Sequence, residues 1–367
     1  MKNSMEEKPV ILRQGVNSLE DLVRLRAEKR VWREKDIYKN QCEELFEITY
    51  PERIGTPDFK EARAAFVETR LAECKVRLAG NWVYFPWSGV LLHTVKEEEY
   101  ARLRTNRNRN LITEEEQRKL ADSCVGLVGL SVGSNVAAAL VYGGIAKRLK
   151  LAEFDVLETT NLNRVRGRLE HIGMKKSQMV AQQLYEVDPY LQLVHYEEKM
   201  SAGNLREFFR DEPRPQVVFE IMDSFEVKLQ LRAFARDYGV PVIMVTNLGD
   251  RVLMDIERYD IDKNIEYFNG RAGSVPRDIL ERPDVNDALK HQYAVALAGV
   301  EHIPQRALDS VAEIGKTLVG RPQLASTVAL AAGFGAYCTR KIILGEPLPS
   351  RSWLVDLEKI FSEPNAL

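Results

Sequence analysis

The sequence contains few cysteines, and their spacing argues against two kinds of stabilised fold. Its 367 residues include four cysteines, and no two of them form a C-x-x-C pair. A disulfide framework or a tetrahedral zinc site would need cysteines in closer sets. The four are Cys42, Cys74, Cys124 and Cys338. We therefore expect a protein of a reducing, cytoplasmic compartment.

The sequence also lacks an excess of positive charge. Lysine and arginine number 52 against 54 aspartates and glutamates, which gives a formal net charge of −2. Proteins that bind nucleic acid usually carry a strongly basic balance. We therefore expect no nucleic-acid partner.

No long uninterrupted apolar run is present. The longest apolar window, residues 324–344, is rich in alanine and glycine and is interrupted by Arg340 and Lys341. Because a membrane-spanning helix needs about 20 apolar residues in succession, the window predicts a buried packing helix. The first residues are charged and show no apolar signal core. We expect neither a secretory segment nor a membrane partner.

From residue 120 onward, strand-like and helix-like segments alternate. The strand-like runs are 125–130, 150–155, 191–195, 217–221 and 240–245, and the helix-like segments are 134–145, 175–187, 203–210 and 226–238. This alternation predicts an α/β fold with a doubly wound, mainly parallel, Rossmann-like sheet over residues 101–367. Residues 248–260 alternate apolar with charged side chains and predict a half-buried strand. Residues 1–100 combine helical periodicity with a hairpin-like region and predict a small N-terminal α/β appendage.

Small and acidic residues follow the ends of three strand-like runs. A turn of sequence Gly-Leu-Ser-Val-Gly-Ser, residues 129–134, follows the first run. The acidic pair Glu153 and Asp155 ends the second, and Asp223 follows the fourth. Ligands of doubly wound sheets bind beyond the carboxyl ends of the strands. We therefore expect these residues to converge in space.

The turn has the composition of a phosphate-binding turn. Gly129, Ser131 and Gly133 are small enough for the backbone to approach an anion, and a helix that begins near Ser134 directs its N–H groups there. Ser131 and Ser134 stand where a G-x-G-x-x-G fingerprint has glycines. A generic strand-to-helix turn therefore stays an alternative for this segment.

Amides and cations come next along the chain. Asn161 and Asn163 precede Arg164, and Lys176 opens an amphipathic segment. Arginine offers a planar fork for phosphate oxygens, and lysine offers a compact charge. Taken alone, the loop fits a solvated surface, Lys176 fits a surface helix and Asp223 fits a strand-end cap. The joint spacing of Lys176 and Asp223 with Arg164 favours a phosphoryl-transfer site, in which the carboxylate of Asp223 would hold Mg²⁺.

The order of these elements resembles that in the superfamily of ubiquitin-activating enzymes and ThiF- and HesA-type adenylyltransferases. The elements are the turn, the acidic pair, the Asn-Leu-Asn-Arg element, Lys176 and Asp223. The resemblance covers residues 100–260 best. It implies an enzyme that binds ATP and Mg²⁺, with Glu153 accepting hydrogen bonds from the ribose. It also implies that a carboxylate, the C-terminus of a peptide or of a ubiquitin-like carrier, is converted to an acyl-adenylate with release of pyrophosphate.

An arginine-rich run, residues 102–110, precedes the first strand. A solvated basic linker explains such a run without a function. The superfamily offers a second explanation, because many members carry an Arg-x-x-Arg-Gln element here whose arginine reaches the ATP of a partner subunit. Arg109 takes that place in this chain, or Arg107 does. The resemblance thus implies a homodimer with an arginine supplied in trans.

The sequence departs from the superfamily in one respect that bears on the chemistry. Many members capture the acyl group on a cysteine beyond the fifth strand and hold zinc with two C-x-x-C pairs, whereas residues 246–321 contain no cysteine. We therefore expect an acyl-adenylate that passes directly to a nucleophile. Two other classes stay open: an NAD(P)-dependent Rossmann oxidoreductase, and a non-catalytic nucleotide-binding scaffold, for which Ser131, Ser134 and Glu153 in place of aspartate leave room.

Overall fold

The computed structural model describes residues 8–74, 77–281, 293 and 295–362. The chain divides into two compact units. Unit 1 comprises Met1–Gln117 with Ala181–Leu191, and unit 2 comprises Arg118–Val180 with Gln192–Leu367. The predicted division at residue 100 into an appendage and an adenylation domain stays a prediction.

The strands of the described residues form two sheets. Unit 1 has a four-stranded sheet of order β1-β3-β4-β2, and unit 2 has a seven-stranded sheet of order β11-β10-β9-β8-β5-β6-β7. The strands are β1 Val10–Arg13, β2 Arg33–Asp36, β3 Asn81–Phe85, β4 Val90–Thr94, β5 Cys124–Val128, β6 Arg148–Ala152, β7 Gln192–Tyr196, β8 Val217–Glu220, β9 Val242–Leu248, β10 Arg251–Glu257 and β11 Arg351–Asp356.

The helices connect these strands. In chain order they are α1 Leu19–Glu28, α2 Tyr38–Thr49, α3 Phe59–Glu73, α4 Glu97–Arg104, α5 Glu114–Ala121, α6 Gly133–Tyr142, α7 Lys176–Val187, α8 Ala202–Arg210, α9 Phe225–Tyr238, α10 Val275–Glu281, α11 Gln305–Val311, α12 Ala325–Leu344 and α13 Leu357–Ser362. Within the described part of the chain, no helix has both the length and the apolar character needed to cross a membrane.

Unit 1 is built on a β-hairpin. Strands β3 and β4 pair antiparallel, as the hairpin-like pattern predicted, and β2 pairs parallel to β4. His93 on β4 stacks between the rings of Trp82 and Tyr38, with centroid distances of 4.4 and 4.6 Å. Apolar residues of α1 and the sheet fill the core beneath, and the helices bury a second cluster around Tyr38.

The sheet of unit 2 is parallel from β7 through β9, and β10 and β11 continue it antiparallel. Two glycines mark where helices pack on its opposite faces. A Cβ on Gly126 of β5 would lie 2.5 Å from the ring of Phe208 on α8, and a Cβ on Gly335 of α12 would lie 2.8 Å from the ring of Phe219 on β8. Helices thus cover both faces, and the predicted doubly wound α/β fold is confirmed.

The prediction for residues 248–260 was right about the strand and wrong about its burial. Strand β10 lies between β9 and β11, and its residues from Val252 to Glu257 are buried. The charged residues of its alternating pattern do not face water. Asp255 pairs with Arg271 at 3.4 Å, and Glu257 pairs with Arg232 at 2.8 Å. Buried ion pairs therefore satisfy the charges that the pattern assigned to a solvent face.

Candidate active site

The turn after β5 requires glycine at its first position. Gly129 has a φ of +99°, and a Cβ there would lie 2.1 Å from the carbonyl oxygen of Ile221. The Gly129 N–H donates to the carbonyl of Ala152 at 2.9 Å, which ties the turn to the end of β6. The backbone at the carboxyl ends of β5 and β8 therefore comes close enough to exclude any side chain. With no side chain at this position, a ligand can approach the backbone of the turn closely.

Helix α6 begins at this turn, at Gly133, and no side chain caps its first residues. The hydroxyl of Ser134 donates to the carbonyl of Ser131 at 2.8 Å. Serine at position 134, which departs from the glycine fingerprint, thus closes the turn by a hydrogen bond of its own. The uncapped helix end carries the positive end of the helix dipole, which favours an anion there.

Glu153 holds the turn and the loop after β6 together. One carboxylate oxygen accepts from the N–H of Leu130 at 2.9 Å, and the other accepts from Phe154 and Asp155 at 2.9 and 3.0 Å. The side chain is buried. A carboxylate has about four acceptor positions, so three backbone donors leave room for one more hydrogen bond. The ribose contact of Glu153 stays a prediction.

Lys176, the first residue of α7, faces the same loop. Its ammonium group lies 3.1 Å from the carboxylate of Asp155, and its N–H donates to the Asp155 carbonyl at 2.9 Å. The lysine side chain is 8% exposed and that of Asp155 51% exposed. Two of the predicted site residues are therefore in direct contact, and the acidic side chain is half-exposed.

The loop at residues 161–164 is held by its own polar groups. Asn161 accepts from the N–H of Glu158 at 3.2 Å, and one terminal nitrogen of Arg164 donates to the side chain of Asn163 at 2.9 Å and to the carbonyl of Thr160 at 3.2 Å. Burial lowers the pKa of the Arg164 guanidinium, and the charge of Asp223 opposes that shift. The negative charge of Asp223 therefore acts on Arg164.

Asp223 follows β8 at the same rim, with its side chain 94% exposed. Its carboxylate accepts from Arg321 at 3.0 Å, and that arginine is 44% exposed. Among the described residues, no group of three or more acidic, histidine or cysteine side chains is placed to hold a metal ion by itself. Magnesium bound to a nucleotide usually takes one or two carboxylates plus phosphate oxygens, so a single exposed Asp223 fits that role.

Four residues at this rim were missed by the sequence analysis. Asn135 of α6 accepts from Arg166 at 3.1 Å, and Asn163 donates to the carbonyl of Gln323 at 2.9 Å. Arg321 is the fourth. Asn135 and Arg166 left a faint signal in the sequence, a polar residue on an apolar helix and the alternation Arg-Val-Arg-Gly-Arg. Arg321 and Gln323 left none, because they are distant in sequence.

Arg109, the residue predicted to act in trans, belongs to unit 1 and is exposed. Its alternative, Arg107, is exposed in the same short helical turn. The roles of both stay predictions, as does the homodimer that they imply.

The two cysteines of unit 2, Cys124 and Cys338, are buried. Burial raises the pKa of the Cys124 thiol to about 12 and that of Cys338 to about 11. A thiolate, not a thiol, is the nucleophile of acyl transfer. Neither cysteine is therefore placed as an activated acyl acceptor.

The model of the ThiF family matches residues 105–357. Uncharacterized protein MT1398 of Mycobacterium tuberculosis is 37% identical over 279 residues, which are 76% of this chain and 38% of that protein. The sulfur carrier protein ThiS adenylyltransferase of Escherichia coli is 28% identical over 134 residues, which are 36% of this chain and 52% of that protein.

The chain thus spans only 38% and 52% of the lengths of these two relatives. A selenomethionine crystal structure of PaaA superposes with a TM-score of 0.50 at 19% identity, covering 71% of this chain and 77% of that one. At that identity the likeness concerns the fold. The family match confirms the resemblance found in the sequence.

Proposed function

The chain belongs to the ThiF family, and from this premise we propose that it is an adenylyltransferase dependent on ATP and Mg²⁺. A substrate carboxylate attacks the α-phosphorus of ATP, the bond from that phosphorus to the bridging oxygen breaks, and pyrophosphate leaves. The product is an acyl-adenylate. Such a reaction brings two anions together, so catalysis rests on positioning and on offsetting negative charge.

The observation that carries the proposal is the placement of the glycine turn and two cations at one rim. Gly129 excludes a side chain where β5 and β8 end. Lys176 contacts Asp155, which shares a loop with the carboxylate that fixes the turn. Arg164 experiences the negative charge of Asp223. These residues come from four separate stretches of the sequence, and a triphosphate with its metal ion is the ligand that matches their charges.

Asp223 would hold the metal. Mg²⁺ on the nucleotide neutralises phosphate charge as the pyrophosphate leaves. The surface ion pair of Asp223 with Arg321 is exposed on both sides, and such pairs contribute at most about 1 kcal/mol. The carboxylate can therefore exchange its arginine for a metal ion at little cost.

The carboxylate substrate is the C-terminus of a peptide or of a small carrier protein. The name of the Escherichia coli relative, an adenylyltransferase of a sulfur carrier protein, supports a carrier. The buried thiols of unit 2 support direct transfer from the adenylate to a nucleophile, without a thioester. A homodimer completed by Arg109 in trans is part of the proposal.

Nucleotide binding by titration calorimetry tests the proposal. We expect the chain to bind Mg²⁺-ATP and to show no comparable affinity for NAD. Arg164→Ala and Lys176→Ala should each weaken ATP binding about tenfold or more, because a hydrogen bond to a charged group contributes about 1.5–3 kcal/mol. Lys263→Ala is the matched control, since Lys263 is an exposed lysine of unit 2 that follows β10, and the antiparallel direction of β10 places it at the opposite edge of the sheet.

The metal assignment has its own control in the same experiment. Asp223→Asn should weaken ATP binding in the presence of Mg²⁺ and leave metal-free binding, measured in EDTA, unchanged. Preferential binding of NAD would make the oxidoreductase the better hypothesis. Unchanged ATP affinity in both Arg164→Ala and Lys176→Ala would remove the site assignment.

A further inference from the structure

A buried amide on helix α6 clamps the arginine-containing loop to the phosphate turn. The side chain of Asn135 donates to the carbonyl of Arg164 at 2.8 Å and accepts from the Nε of Arg166 at 3.1 Å. Ser134, one residue earlier, lies 3.4 Å from the N–H of Arg166. Asn135 is 8% exposed. A polar side chain is buried here because both ends of its amide have partners.

This clamp fixes where the guanidinium of Arg166 lies. Its Nε is bound to a side chain in the first turn of α6, the helix whose uncapped end faces the glycine turn. The residue is exposed, and among the described residues its two terminal nitrogens have no hydrogen-bond partner. An arginine held through Nε presents its terminal N–H groups as a fixed fork, the geometry that suits a phosphate.

The neighbouring arginines of the loop are engaged differently. Arg164 directs its terminal nitrogen back to Thr160 and Asn163. Arg168 lies 3.3 Å from Glu170, and both side chains are mostly exposed. Of the three, Arg166 is the one whose Nε is held by a buried side chain while its terminal nitrogens stay available to a ligand.

We propose that Arg166 binds the outer phosphates of the nucleotide, and that Asn135 is the residue that positions it. The inference rests on the proposed function and deepens it by adding a contact to the leaving pyrophosphate. Under that function, the ribose end of ATP lies at Glu153. Arg166 is attached to the first turn of α6, on the phosphate side of the turn. A cation there stabilises the charge that develops on the pyrophosphate as it leaves.

The affinities of Mg²⁺-ATP and of AMP, measured by titration calorimetry on the full chain, test the proposal. Arg166→Ala should weaken ATP binding about tenfold, the effect of losing a charged hydrogen bond, and leave AMP binding within about twofold. Arg166→Lys should fall between, because lysine keeps the charge and loses the fork. Arg168→Ala, a change two residues along the same loop, is the matched control and should change neither affinity.

The positioning role of Asn135 is tested by a double-mutant cycle. Asn135→Ala should weaken ATP binding in the wild-type background and cause a clearly smaller loss in the Arg166→Ala background, where only its hydrogen bond to the Arg164 carbonyl remains to be lost. Equal losses in both backgrounds would overturn the positioning role. AMP binding by each variant shows that its nucleotide site is folded.

The outcomes separate this inference from the proposed function. If the wild type binds neither ATP nor AMP, the proposed function fails and the inference fails with it. If the wild type binds ATP and Arg166→Ala binds it equally well, the inference alone is overturned. Equal loss of ATP and AMP affinity in Arg166→Ala would likewise overturn the assignment to the outer phosphates.

Discussion

Removing the guanidinium of Arg232 should be among the most destabilising single changes in unit 2. Arg232 on α9 is completely buried between two carboxylates that are also completely buried, with 2.9 Å to Glu220 and 2.8 Å to Glu257. Its guanidinium also lies 3.7 Å from the centre of the Phe268 ring. Replacement by methionine, which is unbranched and uncharged, removes both ion pairs and keeps the packing of the aliphatic part of the side chain.

The expected loss follows from what the two carboxylates retain. Glu220 keeps its ion pair with Lys228, whereas Glu257 keeps two neutral donors, the hydroxyl of Tyr259 at 2.7 Å and the N–H of Phe268 at 2.9 Å. An uncompensated buried charge costs about 3–5 kcal/mol. We expect Arg232→Met to lower the free energy of unfolding by that amount, measured by urea denaturation followed by circular dichroism.

The pH dependence of this stability loss tests whether Glu257 is the carboxylate left without a cation. Burial already raises the pKa of Glu257 above its ordinary value of 4.5. Loss of the neighbouring cation raises it further, so the folded variant takes up a proton more readily than the unfolded chain. The loss in free energy of unfolding relative to the wild type should therefore be small near pH 4.5 and grow toward neutral pH. A second change, Glu257→Gln, should restore part of the loss at neutral pH.

The exposed Arg206, on the adjacent helix α8, provides the control. Arg206→Met should change stability by less than about 0.5 kcal/mol. A loss below about 1 kcal/mol for Arg232→Met, or a loss independent of pH, would refute the reasoning from a buried, uncompensated carboxylate.

Three further changes probe other parts of unit 2. Asn247→Val should raise the free energy of unfolding by about 1 kcal/mol in urea denaturation, because neither atom of the buried amide has a partner among the described residues. Gly129→Ala should abolish ATP binding in calorimetry, since its Cβ would lie 2.1 Å from the carbonyl oxygen of Ile221; wild-type affinity would contradict the turn geometry. The free energy of unfolding of the wild type should rise with pH below 10.5, because burial lowers the pKa of Lys150 and the unfolded chain binds more protons in that range. Lys150→Met should remove this rise, and an unchanged pH slope in the variant would contradict the reasoning.

The alternation of strands and helices was predictable because it depends on local periodicity. Each of the five strand-like runs corresponds to a strand of the parallel part of the sheet, with ends that differ by a few residues. Strand β11 was not predicted, since six residues after a long helix carry no distinctive pattern. Its place depends on pairing with β10, about a hundred residues earlier.

Some features of the candidate site were likewise predictable from local sequence, and others depend on contacts between distant residues. The turn at 129–134, the acidic pair and Arg164 lie in one continuous stretch whose residue types indicate their chemistry. The contacts of Asn163 with Gln323 and of Asp223 with Arg321 join residues 160 and 98 positions apart. Such contacts depend on how the segment before α12 crosses the rim, which no local pattern encodes. The candidate groups could therefore be predicted from the sequence better than the residues that surround them.

A crystal structure with Mg²⁺ and a non-hydrolysable ATP analogue tests the central claim most directly. The account predicts the triphosphate at the turn between Gly129 and Ser134, within hydrogen-bond distance of Arg164 or Lys176, with the metal ion on Asp223. A nucleotide bound elsewhere on the chain, or an analogue at the turn whose phosphates contact neither Arg164 nor Lys176 and whose metal ion is not on Asp223, would contradict it.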